Sequence, residues 1–186
     1  MTILIIVGII VLLGIIFASM YNSLVRLRNN RENAFADIDV QLKQRHDLIP
    51  QLVDTVKGYA AHEKDTLERV IQARNGAVSA KTIDEKIAAE NQLSSALSGL
   101  KITVEAYPDL KANQNFLQLQ EEVSDVENKL AAVRRYFNSA TKEYNNAVQT
   151  FPSNIIAGMA GFRREIMFDL GTNERANLEQ APKISF

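Results

Sequence analysis

Cysteine and tryptophan are both absent from this chain of 186 residues, and histidine occurs only twice. No disulfide framework can form, and a zinc centre would have to lean on carboxylates, an unusual donor set for that metal. The eight glycines, at positions 8, 14, 58, 76, 99, 158, 161 and 171, never fall into a GxGxxG or GxxxxGK phosphate loop, and there is no GxSxG elbow. Charge of either sign is missing before Arg26, so every acidic and basic side chain lies in the remainder. The net charge is −1, and no basic stripe is interleaved with aromatics, which excludes nucleic acid from the expected partners.

What stands in the charge-free part is "TILIIVGIIVLLGIIFASMYNSLV". Ile3 to Tyr21 would form a helix of roughly 28 Å, close to the hydrocarbon thickness of a bilayer. A cleaved signal peptide is disfavoured, because no Lys or Arg precedes the run and no small-x-small cleavage site closes it. Residues 1–22 are therefore expected to form a transmembrane helix. Arg26, Arg28 and Arg31 follow it closely, and the positive-inside rule then places the N-terminus outside and the bulk of the chain in the cytoplasm. The same three arginines are candidate lipid-facing residues, since basic groups beside an anionic leaflet are attracted to it.

From Leu24 onward the chain reads as helix. Leu24, Leu27, Ala34, Ile38, Leu42, Ile49, Leu52, Val56 and Tyr59 recur at three-four spacing, interrupted by Arg31 and Arg45. This predicts a helix over about 21–57, continuous with the span, with Gly58 as a left-handed cap and Tyr59 folding back on Val53. A return leg follows on Leu67, Val70, Ile71, Ala77 and Val78, then Ile87, Leu93, Leu97, Leu100, Val104 and Tyr107, with a candidate break between Asn75 and Thr82. After the loop at Pro108, Asn115 and Gln118 resemble a capping box. The seam Phe116, Leu119, Val123, Val126, Leu130, Val133, Phe137, Ala140, Tyr144, Ala147, Phe151 then predicts a third long helix with bundle packing. Pro152 ends it, and Ser153 can cap a short fourth helix striped by Ile155, Met159, Phe162 and Ile166. Gly158 and Gly161 within that stripe suggest close backbone approach or an element that folds on late.

The expected class is all-α: the span, then an elongated antiparallel bundle over 23–170 of three long helices and one short, with an extended or weakly helical tail at 171–186. An up-down-up order puts the Pro108 loop at the opposite end from the Tyr59–Glu63 turn. Arg31 and Arg45 fall on the apolar seam as a polar pair of positions, and such charges need acids, with Asp39 and Asp54 the nearest candidates, or a second subunit. His46, Asp47 and Pro50 read as a helix kink, because Pro50 cannot donate to the His46 carbonyl. In that reading Asp47 caps a restarted turn, Arg45 or water satisfies the freed carbonyls, and His46 is exposed.

No catalytic, cofactor-binding or metal-ligating residue is expected, and no cofactor. Lys43 and Tyr59 stand three residues before the histidines, where a bundle metal site wants glutamate, and Thr66 stands where a zincin needs its second histidine.

The segments "VQLKQRHDLIPQLVDTVKGYAAHEKDTLERVIQARN", "YPDLKANQNFLQLQEEV", "YNNAVQTFPSNIIAGMAGF" and "APKISF", in this order behind an apolar run, resemble the LemA family. Only "YFNSATKEYNN" departs, with Phe137 and Asn138 where a Tyr-Asn pair would stand. The resemblance implies a bacterial single-pass inner-membrane protein with a helical bundle, N-terminus outside, and implies no catalytic residue or cofactor. The expected function is a membrane-anchored scaffold that self-associates, contacts membrane lipid and recruits membrane or cytoplasmic proteins. The alternatives are an anionic-lipid or envelope-stress module and, third, a metal-binding or enzymatic bundle on His46, Asp47, His62 and Glu63.

Overall fold

A computed structural model describes residues 1–168. It is all-α among those residues, with α1 at Thr2–Lys57, α2 at Lys64–Ser79, α3 at Ile83–Val104, α4 at Pro108–Lys111, α5 at Gln114–Gln149 and α6 at Ser153–Ala160. The tail expectation at 171–186 lies outside the described residues.

The apolar run does begin a helix that continues without a break past the first charges. Within α1 the run holds a stretch of 18 residues apolar enough, in a helix long enough, to cross a membrane, and none of that stretch is buried among the described residues. A core helix of a water-soluble protein would bury such a stripe, because every exposed apolar side chain forfeits its transfer free energy.

The chain divides into two compact units. The first is Met1–Ile38 with Ala132–Met167, and the second is built mainly on Asp39–Ala131. In the first, α1 and α5 run antiparallel: Leu24 lies in a cluster with Ala147, while further along Asn30 accepts from the Tyr136 hydroxyl at 3.3 Å. Phe35 and Phe137 meet edge to face at 5.3 Å, and both rings are buried. Burial pushes the Tyr144 phenol above its ordinary range, and the neighbouring Glu165 charge adds to the shift.

The second unit corrects the expected course of the return leg. The chain folds back at Ala80, whose extended backbone (φ −64°, ψ 133°) stops α2, and Thr82 starts α3 with a full capping box. The Thr82 hydroxyl accepts from Glu85 N at 3.2 Å, while the Glu85 carboxylate accepts from the backbone N–H groups of Lys81 and Thr82. Those backbone donors, Lys81 first, hold the Glu85 carboxyl below the usual carboxylate range. The leg is thus a helical hairpin, and its second arm returns to the end it left. The Pro108 loop therefore lies beside the Tyr59–Glu63 turn and not opposite it: Tyr107 Oη donates to Glu63 at 3.1 Å, and Asn113 Nδ2 donates to Tyr59 Oη at 2.8 Å. Its core joins Ile49, Leu52, Val53 and Val56 of α1 to Leu67 and Val70 of α2, Leu93 and Leu100 of α3, and Phe116 of α5.

Several local expectations are also corrected. Gly58 does not adopt the left-handed conformation; among the described residues only Gly161 does, at φ 76°, where it closes α6 while Phe162 N donates to Ala157 O at 2.9 Å. Gly158 needs no close approach, since an added Cβ would meet nothing within 4 Å. Asn113, not Asn115, opens α5, its side-chain oxygen accepting from Phe116 N at 3.0 Å. Ser153 is the first residue of α6, and its hydroxyl closes the end of α5 by donating to Ala147 O at 2.6 Å. The seam of α5 is buried or half-buried from Phe116 through Ala147, but Phe151, beyond the helix end, is 75% exposed.

Candidate functional site: a buried ionic network beside two clefts

Arg45 occupies a core position of α1 in the second unit and is 2% exposed. Its two terminal guanidinium nitrogens are partnered from two other helices, while the buried Nε has no hydrogen-bond partner among the described residues. Nη1 donates to Glu90 Oε2 of α3 at 2.7 Å, and Nη2 donates to Ser94 Oγ at 3.0 Å and pairs with Glu127 Oε1 of α5 at 2.7 Å. Glu90 is 1% exposed. Its second oxygen, Oε1, lies 2.5 Å from His46 Nε2. A carboxylate paired with arginine only accepts hydrogen bonds, so the proton in this contact sits on His46 Nε2.

The expected kink must be corrected at the same place. His46 is buried at 9% exposure, not open to water, and α1 neither ends nor restarts at Asp47, which is an exposed position inside the helix. Pro50 does leave the His46 carbonyl without its usual donor four residues on. The replacement donor is Arg74 of α2, whose Nε lies 3.1 Å from His46 O. The sequence locates the gap correctly and assigns the wrong arginine to it. His46 is thereby held at both ends, its ring by α3 and its carbonyl by α2.

This arrangement makes an interaction that exists only because of the proline. Arg74→Met is expected to cost about 0.5–1.5 kcal/mol, the range for one hydrogen bond at a part-buried site. In a Pro50→Ala background residue 50 regains its N–H, and the same substitution should cost markedly less. Urea unfolding of the four proteins followed by helical circular dichroism checks this, and an equal cost in both backgrounds refutes the assignment.

The remaining predicted positions are partnered differently from expectation. Asp39 pairs with Lys86 of α3, both oxygens within 2.8 Å of Nζ, and Asp54 is exposed. Neither serves Arg31 or Arg45. Arg31 is 4% exposed, so it does not face lipid; in the first unit it pairs with Glu165 at 3.3 Å and lies 5.0 Å from the centre of the Phe137 ring. Arg26 and Arg28 are exposed, Arg28 pairing with Glu32 at 3.1 Å. Glu90, Glu127, Glu165, Ser94 and Arg74 carry the networks and were not among the predicted site residues. Only Glu90 leaves a trace in the sequence: it falls between Ile87 and Leu93 at the three-residue spacing of the α3 seam.

Two clefts in the second unit reach this network. One, of about 300 Å³, is walled by Asp39, Lys43, His46, Asp47, Arg74 and Lys86. The other, of about 670 Å³, has Arg45, Ser94 and Glu127 on its polar side and Leu97, Val104 and Phe116 on its apolar side. The chemistry here is that of held charge: Arg45, Glu90 and Glu127 pair with one another, and His46 and Ser94 are both engaged in the network. His62 is exposed beyond α1, Glu63 accepts from Tyr107, and no group of three or more metal-ligating side chains forms among the described residues.

Residues 34–186 match the LemA family model. Protein LemA of Metamycoplasma hominis is 28% identical over 166 residues, covering 88% of this chain and 75% of that protein. Magnetosome protein MamQ of Magnetospirillum gryphiswaldense is 22% identical, covering 77% of this chain and 62% of its own length. Magnetosome protein MamQ 2 of Paramagnetospirillum magneticum is 21% identical, covering 80% and 64%. The chain thus spans less than two thirds of either MamQ protein.

Proposed function

The chain belongs to the LemA family, and from that premise we propose that it is a membrane-anchored, non-enzymatic helical scaffold that self-associates and recruits protein partners at the bacterial inner membrane. The observation that carries this reading is the continuity of α1. One unbroken helix takes the chain from an exposed, uncharged run into its charged part, so the helices that follow are tied to the bilayer by backbone hydrogen bonds and not by a loose linker. Arg26, Arg28 and Arg31 lie on the C-terminal side of the run, which supports an outside N-terminus and a cytoplasmic bundle.

The non-enzymatic reading is supported by the way the polar side chains are engaged. The buried histidine is held by Glu90 and the buried arginine by two carboxylates, an arrangement that fixes helices against one another. Exposed apolar side chains, among them Ile102 at 75% and Leu117 at 49%, provide contact points for a second copy or a partner.

Crosslinking in living cells tests the proposal. A photoreactive side chain placed at Ile102 of the full chain is expected to yield a crosslinked homo-oligomer and a reproducible set of captured proteins. A chain that crosslinks neither to itself nor reproducibly to any other protein overturns the scaffold reading.

A further inference from the structure

We propose that α6 is an interfacial collar on the membrane anchor, its exposed Ile155 and Met159, with Phe151 just ahead of the helix, inserted into the acyl boundary of the leaflet from which α1 emerges. The inference rests on reading Ile3–Tyr21 as a membrane span, and it assigns a lipid-binding role to a segment outside that span.

The placement of α6 in the first unit is the starting point. Its buried residues Ile156 and Ala157 share a cluster with Leu24, and Met20 and Phe162 pack against it. The rings of Phe162 and Tyr21 meet at 5.8 Å with an interplanar angle of 63°. So α6 lies alongside residues 20–24 of α1, and the first charge, at Arg26, follows within about one helical turn. At this level a spanning helix leaves hydrocarbon for the headgroup region, where tyrosine is enriched.

The face that α6 turns away from α1 is not suited to water. Phe151 is 75% exposed, Ile155 54% and Met159 74%. Ile155 and Met159, four residues apart, share one side of α6, and Phe151 stands just ahead of that helix, before Pro152. The face belongs to an element packed beside Met20 and Tyr21, at the end of the uncharged run where Phe17 and Tyr21 are themselves exposed. A bilayer therefore reaches it with no further partner.

Its rim has the matching charge. The chain turns at Gly161, the left-handed cap, and immediately presents Arg163 and Arg164 as exposed residues, while Arg26 and Arg28 are exposed on α1. Acids in the neighbourhood are engaged, Glu32 with Arg28 and Glu165 with Arg31. Arginines at the end of an apolar element extend their heads to phosphate while their stems remain in the acyl boundary. An apolar stripe with a basic rim is the pattern of an interfacial helix.

The lack of native cysteine makes a depth measurement direct. Single variants Phe17→Cys, Met159→Cys, Ile155→Cys and Asp54→Cys of the full chain, the last at an exposed charged position of α1, carry an environment-sensitive fluorophore and are reconstituted into vesicles of phosphatidylethanolamine and phosphatidylglycerol. Quenching is read with aqueous iodide and with lipids brominated near the top of the acyl chain. Positions 155 and 159 are expected to be roughly tenfold less open to iodide than position 54, the discrimination that burying one apolar side chain supplies, and to be quenched by the shallow brominated lipid. If position 17 is protected while 155 and 159 are as open to iodide as 54, the collar is refuted and the span survives. If position 17 is itself open, the span reading fails and the collar fails with it. Protection at 159 that vanishes as lipid is added at fixed protein assigns the face to a second copy and also overturns the proposal.

Discussion

Replacing Glu90 with alanine is expected to lower the unfolding free energy by about 3–5 kcal/mol, the range for removing one partner of a buried ion pair. The magnitude follows from what is left behind. The Arg45 side chain is 3% exposed and would keep only Glu127, itself 37% exposed, and the neutral Ser94 hydroxyl, while His46 would lose the acceptor of its ring proton. Coulomb attraction does not set the size of the effect; the desolvated groups that remain do. For the same reason the doubly apolar variant Arg45→Met/Glu90→Leu should recover much of the loss, because it removes both charges from the interior. Urea denaturation of the full chain in mild detergent, followed by helical circular dichroism, measures both. A Glu90→Ala loss below about 1 kcal/mol, the scale of an exposed pair, would show that the network contributes no more than surface charge does.

The second large effect is expected at Phe137. Truncation to alanine removes a fully buried ring and should cost about 3–5 kcal/mol. Two neighbours depend on that ring: Phe35, edge to face at 5.3 Å, and the Arg31 guanidinium, 5.0 Å from its centre. Phe137→Leu retains volume and abolishes the π face, so its cost isolates the aromatic part. Combined with Arg31→Met it should show a coupling of roughly 0.5–2 kcal/mol, the range for a desolvated cation–π contact. Additive losses in that cycle would mean that Arg31 is held by Glu165 and packing alone.

These two sites show how far sequence reading reaches. The seam of α5 was legible through ten of its eleven positions because a helix packed along its length must present apolar side chains every three or four residues, and burial follows. The same periodicity exposed Arg31 and Arg45 as charges in core positions, and both are buried. It also held the clue to Glu90, which breaks the α3 seam as the arginines break that of α1. The partners were not legible. Asp39 and Asp54 were favoured because they lie close in sequence on the same helix, whereas the carboxylates that reach Arg45 come from α3 and α5, 45 and 82 residues away. The hairpin at Ala80 was half visible: the Thr82–Glu85 spacing is a capping box, but the apolar pattern weakens around it and offers no direction for the chain beyond.

By itself the amino-acid order determined the helical class, the uncharged run, the LemA resemblance, the seams and the carbonyl that Pro50 leaves without a donor, because each depends on residues within one helix and on a period of 3.6. Tertiary structure alone decided that Arg74 supplies that donor, that Glu90 holds Arg45 and His46 together, that Arg31 turns inward, and that α6 rests beside residues 20–24 of α1. Those outcomes depend on where the chain reverses, and a buried charge pairs with whichever carboxylate the fold brings within about 3 Å, however distant it is along the chain.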